Sequence, residues 1–323
     1  MSGNVHPWIR QPSQAEANPE FDRTLDWLEN LVGVSSNGRF QTYRATLSKV
    51  FRRLLENRSE LIPADIPPSQ YIETRFEVQG LVEICRQFRT DQSRLLAEKL
   101  QIVVRGTPLT SSEGRKTEPR DILFELEMAV LLKSWGLGVD LGQATDLTFE
   151  FKSAPILCEC KRIQTPNALS RNLQIAESQL RDALKKPEYP QNIIGIIALD
   201  VSRIVHLDTA GAERYPIAKY GAFTLPSNMV IVPDRVQFEE AVKQRLNSFV
   251  EQHRQAFGHE FLPRVAGLIL FYKIPAVELK GDGRIFILTY PKISFILFGN
   301  SGGISTTKRL SWGNVKQLSS LKH

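Results

Sequence analysis

The stretch Ala144-Thr-Asp146-Leu-Thr-Phe-Glu-Phe-Lys-Ser-Ala-Pro-Ile-Leu-Cys-Glu159-Cys-Lys161-Arg162 decides the reading of this 323-residue chain. Its second half has extended character, and a β-strand turns alternate side chains to opposite faces, so Glu159 and Lys161 share one face. Cys158 and Cys160 fall on the other, where they pack toward a core. A carboxylate and an ammonium on an otherwise apolar strand are costly to bury, so something should offset that cost. Asp146 stands thirteen residues before Glu159 at the head of a preceding extended run. A hairpin turning near Lys152-Ser-Ala-Pro155 brings the two carboxylates together.

A hard divalent cation offsets the cost. Magnesium takes oxygen ligands, commonly one or two carboxylates, and keeps several waters. Asp146 and Glu159 would hold it against a scissile phosphate, with the Cys160 carbonyl as a further ligand. Lys161 would orient or help deprotonate the attacking water and offset charge on the pentavalent phosphorus. A surface hairpin with an incidental Glu–Lys pair is the plainer reading, worth only about 0–1 kcal/mol. The apolar run around Glu159 argues against it.

Upstream, Pro119 suits a first helical turn, with Thr117 as cap, and opens a helix over Arg120–Trp135 that stops at Gly136. Glu125 shares a face with Ile122, Ala129 and Leu132, whereas Glu127 neighbours Leu123, Val130 and Leu131; periodicity alone does not choose between these acids. Downstream, the pattern predicts extended segments at 146–151 and 156–163, a helix at about 168–186 and a continuous apolar strand over 193–201. A charged amphipathic helix at about 235–256 and apolar strands at 265–274 and 284–298 follow. Alternating strand and helix signals indicate an α/β fold with a mixed central sheet.

Asp146 followed by Glu159-Cys160-Lys161, with a helix carrying Phe124-Glu125 before it and an amphipathic helix after it, resembles the restriction-endonuclease-like PD-(D/E)xK nuclease superfamily. Phe124-Glu125-Leu-Glu-Met-Ala129-Val-Leu-Leu132-Lys-Ser-Trp-Gly136 is similar to the opening helix of Mrr-type restriction nuclease domains. The resemblance covers about residues 119–205. It implies a restriction-endonuclease-like mixed sheet flanked by helices, Asp146 and Glu159 as Mg²⁺ ligands (Mn²⁺ substituting), Lys161 as the catalytic lysine and Glu125 as a helix acid that assists metal binding. On the helix after the Glu-x-Lys element it points to Gln179, with Gln174 behind it, as a catalytic polar residue. Thr145 stands where the superfamily pattern has Pro.

Around this core the organisation is simpler. Residues 1–20 are polar and carry Pro7, Pro12 and Pro19, reading as a loose leader. Leu25, Leu28, Leu31 and Val32, then Leu47, Val50, Phe51, Leu54 and Leu55, have helical spacing, and a second helical stretch runs from about Tyr71 to Val104. This predicts an all-α accessory domain over 21–118, ending in a linker at 106–118, then a nuclease-like domain over 119–298 and a basic tail over 299–323. The chain holds 41 Lys and Arg against 35 Asp and Glu, a net of +6. Lys308, Arg309, Lys316 and Lys322 give the tail +4 with no acid.

Other motifs fail on chemistry. Gly33 to Gly38 has P-loop spacing, but Arg39 and Phe40 follow where Lys and Ser or Thr are needed. Gly136, Gly138 and Gly142 are mis-spaced for a dinucleotide fingerprint, and a helix C-cap explains them better. Ser301 lacks the partners of a triad, and His206, His253 and His259 lack metal-ligand spacing. Three cysteines, two of them one residue apart, fit a reduced setting, and neither a signal peptide nor an apolar run near 18 residues is present. The expectation is a cytoplasmic, metal-dependent DNA endonuclease in restriction, defence or repair, with no membrane partner and a homodimer for double-strand cutting. An RNA nuclease, or a nucleic-acid-binding scaffold without chemistry, is the alternative.

Overall fold

The structure, a computed structural model, describes residues 14–33, 38–55, 65–66, 68–106, 118–142, 145–151, 154–187, 189–190, 193–207, 230–232, 244, 246–257, 264–279 and 285–297. The leader up to residue 13, the linker over 107–117 with Thr117, the hairpin turn at 152–153, most of 233–245, His259, Ser301 and the basic tail lie outside the described residues. Among the described residues the helices are α1 (Gln14–Val32), α2 (Arg39–Leu55), α3 (Pro68–Phe88), α4 (Arg94–Val104), α5 (Glu118–Ser134), α6 (Leu169–Leu184), α7 (Ser202–Leu207) and α8 (Arg254–Phe257), with residues 246–252 also helical. The strands are β1 (Val139–Leu141), β2 (Leu147–Phe151), β3 (Ala154–Arg162), β4 (Ile194–Asp200), β5 (Val230–Val232), β6 (Val265–Leu279) and β7 (Ile285–Leu297). No described helix is long and apolar enough to cross a membrane.

The chain forms two compact units: Met1–Val130 with Thr209–Pro233 and Pro275–Tyr290, and Leu131–Asp208 with Asp234–Ile274 and Pro291–His323. In the first, α1 packs on α2, α3 and α4, and α2 on α3. Phe21, Leu28, Phe40, Leu81, Ile84, Phe88 and Leu100 form its core. The helical signal over 71–104 is two helices, because Ser93 caps α4 by accepting the Leu96 N–H at 3.4 Å. α1 takes in residues 14–20, with Pro19 in its second turn.

This unit buries an ionic cluster. Arg39 is fully buried, its Nη1 3.2 Å from Glu77 Oε2 and its Nη2 donating to the Val103 carbonyl at 2.7 Å. Arg120 Nε donates to Glu77 Oε1 at 2.7 Å and Tyr43 Oη donates to Glu77 Oε2 at 3.0 Å. Burial first, then the Glu77 carboxylate, pushes the Tyr43 hydroxyl above its ordinary range, so it stays a donor. In this unit the far end of β6 also pairs in parallel with β5, Val230 against Ala276; β7 pairs with β6.

The second unit is a mixed sheet in the order β1-β2-β3-β4-β6. β1–β2 and β2–β3 are antiparallel; β3–β4 and β4–β6 are parallel. A parallel neighbour needs a crossover, and α6 supplies it between β3 and β4. Leu173, Ala176, Leu180 and Ala183 form the buried stripe of α6, which packs on β3 and β4. β4 is buried from Gly195 to Asp200, as a central parallel strand should be. The observed α/β class and mixed sheet agree with the sequence reading.

Residues 156–160 of β3 are all buried, so Glu159 lies as deep as its cysteine neighbours. β3 has partners on both edges, and the Glu159 carboxylate on its face is enclosed as well. The turn after α5 is as expected: Gly136 has φ of +78°, the Leu137 N–H bonds the Leu132 carbonyl at 3.2 Å and the Gly136 N–H bonds Lys133 at 2.9 Å. This is the Schellman arrangement that glycine permits.

Candidate active site

The hairpin register builds the site. The last pairing of β2 with β3 is Leu147 opposite Cys158, which sets Asp146 beside Glu159. Asp146 Oδ2 accepts the Cys160 N–H at 2.7 Å. Lys161 Nζ donates to Glu159 Oε2 at 3.0 Å and to the Cys160 carbonyl at 3.1 Å, and it lies 3.6 Å from Asp146 Oδ2. The Cys160 backbone is thus held on both sides, its N–H by the acid and its carbonyl by the lysine. Asp146, Glu159, Cys160 and Lys161 come together.

The loop before Asp146 is held by close backbone contact. Gly142 N–H donates to the Asp146 carbonyl at 3.1 Å. A Cβ at Gly142 would lie 2.2 Å from the Thr145 carbonyl oxygen, so only glycine fits. Thr145 is buried and its Oγ1 donates to the Leu147 carbonyl at 3.0 Å. A hydrogen bond thus fixes the backbone just before Asp146.

Burial and like charge set the electrostatics. Glu159 is 2% exposed, and burial, followed by the Asp146 carboxylate, raises its pKa to about 7 despite the opposing pull of Lys161. Burial draws the Lys161 ammonium down, but Asp146 and Glu159 outweigh it and hold the pKa above its usual value. Lys161 is therefore an ammonium at neutral pH. It suits charge stabilisation and proton donation better than proton abstraction.

The donors fit a small hard cation. Two carboxylates and a peptide carbonyl are the oxygen set that magnesium accepts while retaining waters. A buried carboxyl that resists ionisation beside a second carboxyl is what such a cation would relieve. Among the described residues no group of three or more His, Cys, Asp or Glu side chains is placed to hold a metal; a site here would use two side chains, a carbonyl and water.

The other expected residues have partners or surroundings of their own. Glu125 is buried in the first unit and ion-paired with Lys99 of α4. Glu127 is buried too, close against Gly80 of α3. Gln174 and Gln179 are exposed on α6, opposite its packed stripe, and the polar side chain buried at that level is Glu177. The structure does not join Gln179 to Asp146, Glu159 or Lys161.

A polar group at the strand ends escaped the sequence reading. Arg162 Nε lies 3.4 Å from Asp200 Oδ2 at the end of β4. Asp200 Oδ1 accepts from the Ser202 N–H at 2.9 Å and from the Ser202 hydroxyl, and Ser202 Oγ accepts the Lys273 N–H at 2.8 Å. The signal was an acid closing an apolar strand. No protein-family model, no curated protein and no solved structure matches this chain.

Proposed function

We propose that this chain is a divalent-metal-dependent nuclease of the restriction-endonuclease-like PD-(D/E)xK type that hydrolyses phosphodiester bonds in DNA. The observation that carries the reading is the convergence of Asp146, Glu159 and Lys161 around the Cys160 backbone. A buried Glu–Lys pair alone is a poor stabilising device. A second carboxylate at the same ammonium makes an arrangement whose cost is explained by chemistry.

Hydrolysis joins a water oxygen to phosphorus as one P–O ester bond breaks, and the departing oxygen takes a proton. Asp146, Glu159 and the Cys160 carbonyl would hold the cation, Mg²⁺ or Mn²⁺. When bound, it supplies Lewis-acid polarisation of the phosphate and an acidified water. The Lys161 ammonium stands beside the phosphoryl oxygens to stabilise their charge in the transition state. The burial of β3 keeps these groups in fixed positions and a low dielectric.

The test is nicking and linearisation of plasmid DNA by the full chain, with and without Mg²⁺ or Mn²⁺, beside a structured RNA. Metal-dependent DNA cleavage that disappears in Glu159→Ala and Lys161→Ala, with circular dichroism unchanged, supports the reading. Metal-free activity, or undiminished activity in both variants, overturns it. Cleavage of RNA alone would keep the site and change the substrate. Double-strand cleavage calls for two such sites, and sedimentation tests for the homodimer that would supply them.

A further inference from the structure

We propose that the outward face of α6 binds the phosphate backbone of a DNA duplex, on the side of the sheet from which Glu159 and Lys161 project; this rests on the nuclease reading and adds a docking surface to it. The side follows from packing. A Cβ at Gly195 of β4 would lie 3.0 Å from Leu180 of α6, so α6 covers the face on which Gly195 would carry a side chain. Gly195 pairs with Leu157 in the parallel β3–β4 ladder, and residues so paired share a face. Alternation along β3 puts Glu159 and Lys161 on that same face.

The exposed residues of α6 form a cationic stripe. Leu173, Leu180 and the acid Glu177 are buried on its packed side. Arg171, Gln174, Ser178, Arg181 and Lys185 are exposed at spacings of three and four, which makes one line along a helix. Lys186 is exposed just beyond them. Against these four cations the exposed face holds one acid, Asp182, which lies 3.6 Å from Lys185 in a solvated pair. Such pairs are weak and screened. Among the described residues Arg171, Arg181 and Lys186 have no ion-pair partner. Arg264, just before β6, adds charge at the same end of α6. Its guanidinium donates to the carbonyls of Leu184, Pro190 and Ile193 at 2.9, 3.1 and 3.1 Å, which fix it without neutralising it.

Stabilisation of the helix does not account for this face. Arg171 stands in the first turn with no acid beside it, where the helix dipole opposes a cation. Arg181 and Lys185 are like charges four residues apart, which repel. Spacing selects the occupant. Arg171 to Lys185 is about 21 Å of helix, farther than one phosphate group or small metabolite can bridge. One DNA strand carries a charge about every 3.4 Å of rise, so a backbone can meet each cation in turn. Gln174 and Ser178 between them offer the neutral hydrogen bonds that hold phosphates and sugars without reading sequence.

The experiment is fluorescence anisotropy of a labelled 20-base-pair DNA duplex, in EDTA, over a salt series. Full-length wild type, Arg171→Gln, Arg181→Gln and the double variant are compared, with Arg89→Gln removing one exposed charge from α3's end. Each α6 variant should weaken binding and lower the log–log salt slope by about 0.9, and the double variant by nearly twice that, while Arg89→Gln stays close to wild type. Slopes and affinities equal to wild type in the α6 variants would overturn the proposal, as would an equal loss in Arg89→Gln, which would mark net charge alone as the cause. Wild type that ignores the duplex but sediments with phosphatidylglycerol vesicles would overturn it in favour of a lipid surface. Binding that follows the α6 variants without plasmid cleavage by wild type in Mg²⁺ would reject the nuclease reading alone; cleavage with unaffected α6 variants would reject the docking surface alone.

Discussion

Replacing Glu159 with Gln should stabilise the metal-free protein at pH 8 and flatten its stability between pH 5 and pH 8. The wild-type carboxyl is 2% exposed and titrates near pH 7, against an ordinary 4.5. The folded state therefore holds this proton more tightly than the unfolded chain. This group's contribution to stability is greatest below pH 4.5 and is lost as pH rises through 7, because ionisation in the core opposes burial. At about 1.4 kcal/mol per pH unit the full cost is about 3 kcal/mol, reached above pH 7. Lys161 is also raised, but it stays protonated across this window and contributes no slope. Gln keeps the shape and can accept from Lys161 without carrying the charge. The assay is thermal or urea unfolding in EDTA at half-unit pH steps, followed by far-ultraviolet circular dichroism, where each kcal/mol moves the midpoint about 2–4 °C for a cooperative unit of 150–250 residues. Mg²⁺ should stabilise wild type and not the variant. Parallel pH profiles for the two proteins, or a variant less stable at pH 8, would refute the argument that burial and the Asp146 carboxylate govern this group.

Lys161→Met keeps the stem and removes the charge; single-turnover cleavage should fall by about 10²–10³-fold while calorimetry still detects Mg²⁺ binding. Gly142→Ala forces a Cβ against the Thr145 carbonyl, so unfolding midpoints should show about 1–3 kcal/mol of destabilisation and cleavage should drop as Asp146 shifts. Glu77→Ala leaves Arg39 and Arg120 buried without their shared acid and should cost about 3–5 kcal/mol in urea titrations.

Asp146, Glu159 and Lys161 were legible because their assembly is local. A period of two and one hairpin place all three within sixteen consecutive residues, and the register at Leu147 and Cys158 matches that arithmetic. The α/β pattern was legible for the same reason: strands β3, β4 and β6 read as short apolar runs separated by helices. Glu125 and Glu127 were not separable, because α5 is buried all round from Leu123 to Leu132 and no polar face marks a direction. The stripe of α6 was readable and places Gln174 and Gln179 outward; the superfamily resemblance pointed to them regardless. Lys99 with Glu125, and Arg39 with Glu77, join helices 26 and 38 positions apart in the chain. Such pairs leave no local periodicity.

The hold on the Cys160 backbone also bears on the order in which the protein assembles. The β2–β3 hairpin closes through contacts a few to fourteen residues apart, a microsecond event, whereas β3 meets β4 and β6 only after long loops are closed. Asp146 can therefore bond Cys160 and stand beside Lys161 while Glu159 is still hydrated on an open strand. The expense of dehydrating Glu159 falls on the later docking of α6, β4 and β6, the step that buries it. A cation caught by the hairpin before that docking would remove the expense at its source, so that metal binding would favour folding itself.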